Sequence, residues 1–149
     1  MEHHAQVRWR RTSTEFVYDK YNRAHEVLFK NGAIVVPASA AVDFRGDGDR
    51  VDPEEQFVAS LSACHMLSFL AIAARKRIVV DSYADDAVGF LEKGETGKWR
   101  MTRVILRPCV RFAAGDPGSS MLDELHKLAH ETCFIANSVT TSVAVEPQF

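Results

Sequence analysis

The pattern of apolar and polar residues predicts short strands in the first third of the chain. These strands are expected at residues 5–10, 16–18, 25–30 and 33–37. Asn31-Gly32 separates the last two, and Asn-Gly between apolar runs is a strong signal for a β-hairpin turn. Residues 43–52, DFRGDGDRVD, are rich in Gly and Asp. Such a composition predicts a loop before the next element.

The longest apolar run predicts a helix. Residues 57–74, FVASLSACHMLSFLAIAA, contain no Lys, Arg, Asp or Glu. Asp52 suits the N-cap before it, Pro53 suits the first helical position, and Glu55 completes a capping box. The helix is expected to end near Arg75, where three consecutive cations suit a helix C-terminus. The run reaches the length of a membrane span. Its three serines and one histidine instead favour a fully buried helix in a soluble domain, with no membrane contact.

The second half of the chain predicts more strands and one further helix. The strands are expected at residues 78–80, 87–92, 99–112 and 139–145. The helix is expected over 120–132, where Met121, Leu122 and Leu125 begin an apolar stripe and Ser120 with Asp123 resembles a capping box. Strands and helices are segregated rather than alternating. This order predicts an α+β fold with segregated layers.

Composition and charge limit the class of protein. The 149 residues suggest a single domain, and 46% hydrophobic with 26% charged residues is typical of a soluble globular protein. Eighteen Lys and Arg against 20 Asp and Glu leave no basic surplus, so nucleic-acid binding is not expected. The N-terminus lacks the apolar core of a secretory signal. Three cysteines are too few for a disulfide framework, which predicts a reducing compartment, the cytoplasm.

The cysteines and two histidines are the candidate chemical groups. Cys64 lies within the first helix and Cys133 ends the second, and each taken alone is most simply a buried structural thiol. Cys109, on a strand, is expected to be structural. His126, His130 and Cys133 lie within about 60° of one another on a helix face, which is a metal-ligand spacing. The simpler interpretation is that both histidines are solvated.

Two cysteine-bearing segments resemble those of a known family. Asp52-Pro53-Glu54-Glu55 precedes Ser62-Ala63-Cys64-His65-Met66-Leu67, with Cys64 ten residues after Glu54. Residues 130–138, HETCFIANS, contain Cys133. Both segments are similar to the cysteine motifs of the OsmC/Ohr family, the osmotically inducible and organic-hydroperoxide-resistance proteins. Phe134 departs from the Pro that is common there. The resemblance covers nearly the whole chain and implies a single OsmC-like domain, with antiparallel sheets, a long buried central helix, a second helix and an intertwined dimer.

The resemblance also implies an activity and its residues. Members of this family look like cysteine-based peroxidases that reduce organic or hydrogen peroxides without a metal or organic cofactor. Cys64 would become a sulfenic acid and then form a disulfide with Cys133, and external dithiols, lipoyl-type in the best-known branch, would reduce it. The family's activating arginine comes from the N-terminal β-region. Arg23 is the best match and Arg45 the competitor, with Glu54 as the carboxylate that orients the arginine.

Physical chemistry explains why such a site needs an arginine. A peroxidatic cysteine must ionise, burial disfavours the thiolate, and a helix dipole acts mainly in the first turn. Cys64 lies beyond that turn, so a nearby guanidinium is required. Glu54 and Cys64 are about 15 Å apart along a straight helix. A neighbouring chain that supplies Glu54 is therefore the simpler arrangement, which predicts an obligate homodimer with composite sites.

Two other functions remain open at this point. The chain is alternatively a non-catalytic small-molecule or metal-binding protein that uses His126, His130 and Cys133. The other possibility is an OsmC-like scaffold that has lost its activity, because of Phe134 or because it lacks a suitable arginine. Several apolar residues near the cysteines are either a pocket for bulky organic peroxides or, more simply, core. These residues are Leu61, Met66, Leu67, Phe69 and Phe134.

Overall fold

The computed structural model describes residues 1–148 and divides the chain into two compact units, Met1–Gln56 and the part from Phe57 onward. The helices are α1 (Pro53–Arg75) and α2 (Ser119–Thr132). The strands are β1 (Gln6–Arg8), β2 (His25–Phe29), β3 (Ile34–Ala38), β4 (Val80–Asp85), β5 (Val88–Lys93), β6 (Trp99–Leu106), β7 (Pro108–Phe112) and β8 (Ser142–Val145). This element order confirms the α+β class.

The first unit is built on an antiparallel sheet in the order β1-β2-β3. β2 and β3 form the predicted hairpin, in which Phe29 pairs with Ile34. Its turn is longer than Asn31-Gly32 alone, because Lys30 also has a positive φ of 51°. The strand predicted at residues 16–18 is wrong. The Val17 carbonyl accepts hydrogen bonds from the N–H groups of Lys20 and Tyr21, so the chain forms a turn there.

Helix α1 begins and ends where the sequence predicts. The Glu55 N–H donates to Asp52 Oδ1 at 2.7 Å, and the Asp52 N–H donates to Glu55 Oε2 at 3.0 Å, which is the reciprocal capping box. The helix ends at Arg75. By length and composition alone it could cross a membrane, but core helices of soluble proteins pass the same test.

The expectation that α1 is buried on all sides is wrong for the single chain. One stripe at helical spacing is buried: Leu61, His65, Phe69 and Ala73. The opposite stripe is exposed: Ala59, Ala63, Leu67 and Ala71. Within the second unit, the β4–β7 sheet, the β5-β6-β8 sheet and α2 cover one face of the helix, and no other described element of that unit covers the opposite face.

The long strand predicted at 99–112 is two strands with different partners. β6 pairs with β5 in antiparallel fashion and with β8 in parallel fashion, whereas β7 pairs with β4. Pro108 has no N–H to donate. The Arg107 N–H donates to the side-chain Oδ1 of Asp85 at 2.6 Å instead of to a backbone carbonyl of a neighbouring strand. The ladder therefore breaks at Arg107. The parallel β6–β8 pair also departs from the expected all-antiparallel sheets.

Helix α2 begins one residue earlier than predicted, at Ser119, and the capping box of Ser120 with Asp123 is wrong. Gly118 is the N-cap, with a φ of 93°, and it supplies no side chain to the first turn. The Asp116 carboxylate instead accepts a hydrogen bond from the Gly118 N–H at 2.7 Å. The Asx-type contact thus forms in the preceding loop.

Two apolar clusters form the core of the second unit. The first joins α1 to α2 and contains the buried residues Phe69, Ala73, Leu122, Leu125 and Ala129. The second joins α1 to the β5-β6-β8 sheet and contains Leu61, Val104 and Leu106. Helix α1 thus contributes to both clusters, which anchors the helix turn that carries Cys64.

Candidate functional site

The structure brings Cys64 and Cys133 together. Cys64 is half-buried on α1, and Cys133 immediately follows α2 and is 1% exposed. The Cys133 thiol lies within hydrogen-bonding reach of the Cys64 thiol, and both cysteines are free. An ion pair of 2.8 Å between Lys76, which directly follows α1, and Glu124 on α2 also links the two helices. The pair predicted from the motif is therefore a spatial pair.

The two thiols have different environments. Burial raises the pKa of the Cys133 thiol, and the neighbouring Cys64 side chain raises it further. The N–H of Ala136 donates to Cys133 Sγ at 3.4 Å and acts in the opposite direction. The raised pKa favours the protonated form of Cys133. Cys64 is the thiol that a molecule in solution meets first.

Arg23 is held in the first unit by uncharged partners. Its guanidinium donates to the carbonyl oxygens of Tyr21 at 2.6 Å and Tyr18 at 2.5 Å. It also lies 3.8 Å from the centre of the Tyr21 ring, at a cavity of about 390 Å³ that is walled by Trp9 and Phe16. Within residues 1–148 it forms no ion pair, so its positive charge is not neutralised by a carboxylate.

Arg45 and Glu54 are the other two charged residues that the sequence proposes for the site. Arg45 forms an ion pair of 2.9 Å with Asp19, so its charge is already compensated. Glu54 lies in the first turn of α1, and in the part of the chain that the structure describes it has no ion pair with Arg23 or Arg45. The role of Glu54 as an orienting carboxylate stays a prediction.

His65 and His126 form a buried pair between α1 and α2. His65 Nε2 lies 3.1 Å from His126 Nδ1, and the two rings are 8° from parallel. His126 is 4% exposed, so the expectation that it is a solvated surface residue is wrong. It lies one helical turn after Leu122, on the apolar stripe, and this position turns it inward. His130, the next turn along, is half-buried rather than fully solvated.

The pair is neutral at physiological pH. Burial lowers the pKa of His65 to about 4, and the neighbouring His126 and His130 act in the same direction. Burial also lowers the pKa of His126 to about 4, against the opposing effect of Asp123 and Asp85. One of the two facing nitrogens carries the shared proton. The outer nitrogens, His65 Nδ1 and His126 Nε2, have no hydrogen-bond partner among residues 1–148.

The metal-ligand set His126, His130 and Cys133 is not assembled. The spacing argument assumes that α2 continues through Cys133, but the helix ends at Thr132 and Cys133 is extended, with φ −72° and ψ 108°. Cys133 faces Cys64, and His126 faces His65. Among the described residues, no group of three or more His, Cys, Asp or Glu side chains is arranged to hold a metal ion.

Asp85 supports α1 beside the cysteine and was not found from the sequence. Ser62 Oγ donates to Asp85 Oδ2 at 2.5 Å, two residues before Cys64. The other carboxylate oxygen accepts the Arg107 N–H. Ser62 and Arg107 are each more than 20 residues from Asp85 in the chain. No local pattern signals a contact of that range.

Acid should destabilise the fold through the histidine pair. The pKa of a histidine is ordinarily 6.5 and is about 4 in the folded protein, so only the unfolded chain takes up these protons as pH falls below 6.5. The free energy of unfolding is expected to fall between pH 7 and pH 5, by about 2 kcal/mol for each histidine. Urea titrations across this range measure it. A His65→Leu/His126→Leu double variant should show a shallower pH dependence, and an unchanged slope would contradict the assignment.

The chain is similar to known proteins in both sequence and structure. The family model for OsmC-like proteins matches residues 46–148. No curated protein matches. An OsmC-like protein of unknown function from Vibrio cholerae is 47% identical, with a TM-score of 0.91 over 99% of both chains.

More distant solved structures share the fold. An organic hydroperoxide resistance protein OsmC from Legionella pneumophila is 17% identical, with a TM-score of 0.74 over 99% of this chain and 95% of that one. The organic hydroperoxide resistance protein OhrB of Bacillus subtilis is 20% identical, with a TM-score of 0.70 over 97% and 98%. The family match spans both cysteine segments and two thirds of the residues. The chain therefore belongs to the family of OsmC-like proteins.

Proposed function

We propose that this protein is a thiol-dependent peroxidase, in which Cys64 reacts with the peroxide and Cys133 resolves the product. The observation that carries the proposal is the contact between the thiol of Cys64 on α1 and the thiol of Cys133, which directly follows α2. Two cysteines form a direct disulfide only when their sulfur atoms can meet. The half-buried Cys64 is accessible to a small peroxide, whereas Cys133 is not.

The reaction balances with these two residues and an external dithiol. The Cys64 thiolate attacks one oxygen of ROOH, the O–O bond breaks, and the alkoxide leaves as ROH after it takes a proton. Cys64 is then a sulfenic acid, oxidised by two electrons. The Cys133 sulfur displaces its hydroxyl group, which leaves as water, and a Cys64–Cys133 disulfide forms. An external dithiol reduces the disulfide by thiol exchange and becomes oxidised in turn.

Arg23 is the preferred activating arginine in this proposal. A guanidinium beside a cysteine stabilises the thiolate, and an arginine that is not tied to a carboxylate elsewhere is the better candidate for that position. Arg45 is paired with Asp19, whereas Arg23 is held by two carbonyl groups and an aromatic ring. Glu54 would complete the site as the carboxylate that orients the arginine. The proposal needs no metal or organic cofactor.

The proposal includes a homodimer in a reducing compartment, the cytoplasm. The stripe of α1 with Ala63 and Leu67 is exposed, and Leu67 is 62% exposed. Phe134, directly after Cys133, is 81% exposed. A large exposed apolar surface favours a protein partner. A second copy that covers it would give the peroxide an apolar environment, which suits organic hydroperoxides.

The test is a stoichiometric oxidation of the reduced protein. One equivalent of an organic hydroperoxide is expected to consume two of the three thiols and to give one Cys64–Cys133 disulfide, measured by thiol titration and by peptide mass mapping. Cys109→Ser serves as the matched control and should give the same product. Reaction no faster than that of a free thiol, or a disulfide that includes Cys109, would overturn the proposal.

A further inference from the structure

Two polar contacts lie between α1 and the part of the chain formed by α2 and the residue after it. One joins the thiols of Cys64 and Cys133, and the other joins the imidazoles of His65 and His126. His65 directly follows Cys64 on α1. His126 lies on α2, and Cys133 directly follows that helix, with its N–H bonded to the His130 carbonyl. A shift of α2 along α1 would therefore change both contacts together.

The histidine contact is directional. The two rings are 8° from parallel and their facing nitrogens are 3.1 Å apart. A neutral imidazole has one N–H and one lone pair, both in the plane of the ring. Because both rings are neutral, one facing nitrogen donates to the other. Such a hydrogen bond tolerates little rotation or translation of either ring.

The surroundings hold both rings in place. His65 is 1% exposed, and the ring centre of His126 lies 4.6 Å from that of Phe69, a fully buried residue. Phe69 lies one helical turn after His65 on the same buried stripe of α1. Charged groups also face the pair, with Asp123 on α2 and Asp85 on β4. The contact therefore fixes the position of α1 relative to α2, within the second unit of the chain.

We propose that His126, through its hydrogen bond to His65, is a positioning residue that holds Cys133 against Cys64 for the step that forms the disulfide. This inference rests on the proposed peroxidase function. A disulfide allows only a narrow range of sulfur positions and dihedral angles. A small loss of register between the helices would therefore slow the attack of Cys133 on the Cys64 sulfenic acid.

The proposal separates the two chemical steps. Oxidation of Cys64 by the peroxide does not require Cys133, so it does not require the histidine contact. Disulfide formation joins the two helices, because the Cys133 sulfur replaces the hydroxyl group of the Cys64 sulfenic acid and water leaves. No other oxidant enters this step. A merely structural role for His126 would lower stability but would not distinguish one step from the other.

The experiment compares three variants of His126. His126→Leu removes the hydrogen bond, His126→Gln carries its amide near the position of the outer Nε2, and His126→Asn keeps an amide at the position of Nδ1, the atom that faces His65. After one equivalent of organic hydroperoxide, a sulfenic-acid trap and mass spectrometry follow both oxidation states of Cys64. In the Leu and Gln variants, disulfide formation is expected to slow at least tenfold and trapped sulfenic acid to accumulate. The Asn variant should recover most of the wild-type rate.

A second measurement does not depend on peroxide. Equilibration with oxidised and reduced dithiothreitol gives the effective concentration of the two thiols for each other. This concentration is expected to fall at least tenfold in the Gln variant and to recover in the Asn variant. If Cys64 forms no sulfenic acid in the wild type, the peroxidase proposal fails, and this equilibrium still decides the positioning role.

Two results would overturn the positioning role. The first is a Leu variant that forms the disulfide at the wild-type rate and reaches the wild-type equilibrium. The second is an Asn variant that is impaired as much as the Leu variant, because ring packing rather than the hydrogen bond would then be responsible. Thermal melting of each variant confirms that the comparison is made on folded protein.

Discussion

Replacement of Cys64 with serine is expected to reduce the rate of peroxide consumption by roughly 10³-fold or more. A serine hydroxyl does not ionise near neutral pH and cannot form a sulfenic acid. Arg23 and Cys133 then have no thiolate or sulfenic acid with which to act. The measurement is the rate of organic hydroperoxide consumption with an excess of a dithiol reductant, together with the rate of a single turnover.

Two further variants make this result specific. Cys109→Ser should consume peroxide at the wild-type rate, because Cys109 pairs with Ala84 in the β4–β7 ladder and has no part in the proposed reaction. Cys133→Ser should still oxidise Cys64 once, without forming the disulfide. A Cys64→Ser protein that consumes peroxide at a rate similar to wild type would contradict the assignment of the nucleophile.

Phe69→Ala is expected to lower the free energy of unfolding by about 4 kcal/mol. Phe69 is 0% exposed, and its ring contacts the rings of Tyr83, Phe112 and His126. The substitution removes the side chain that fills the space between α1, α2 and the β4–β7 sheet. The cavity that remains cannot close without moving these elements. Urea denaturation of the reduced protein at a fixed concentration measures the loss.

The control for this variant is Lys127→Ala on the exposed face of α2. It should change the free energy of unfolding by no more than about 0.5 kcal/mol. Phe69→Ala should also weaken the support of the His65–His126 pair, because the Phe69 ring packs against His126. A loss below about 1 kcal/mol for Phe69→Ala would contradict the central position of this residue.

Local signals predicted α1 well. Asp52, Pro53 and Glu55 are the capping residues that the structure uses, and the helix ends at Arg75. These features act over three or four residues, so the sequence alone contains them. The burial of α1 was not predicted correctly. An apolar helix has no local signal that separates a face covered by the same chain from one left for another partner.

The strand prediction failed where two strands follow each other directly. Alternation continues from β6 into β7, although the strands belong to different sheets. The break at Arg107 depends on Asp85, which lies 22 residues earlier in the chain. Pro108 is a local signal for a break in the strand, because it lacks an N–H. Only the tertiary contact shows which group accepts the hydrogen bond of the Arg107 N–H.

The candidate site also contains residues that the sequence identified and contacts that only the structure shows. The family motifs identified Cys64 and Cys133, and the structure places these thiols in contact. The metal-ligand spacing of His126, His130 and Cys133 was misleading, because α2 ends before Cys133. The His65–His126 pair was not predicted, although the position of His126 on the apolar stripe of α2 was a usable signal.

The sequence by itself determined the α+β class, both helices, the family and the two cysteines of interest. Each of these depends on short-range periodicity, on capping within a few residues or on a compact motif. Only the tertiary structure decided which thiol is buried, which histidines pair and which arginine keeps an uncompensated charge. Such properties arise from contacts between residues far apart in the chain, whose free energies depend on packing and desolvation that no local pattern encodes.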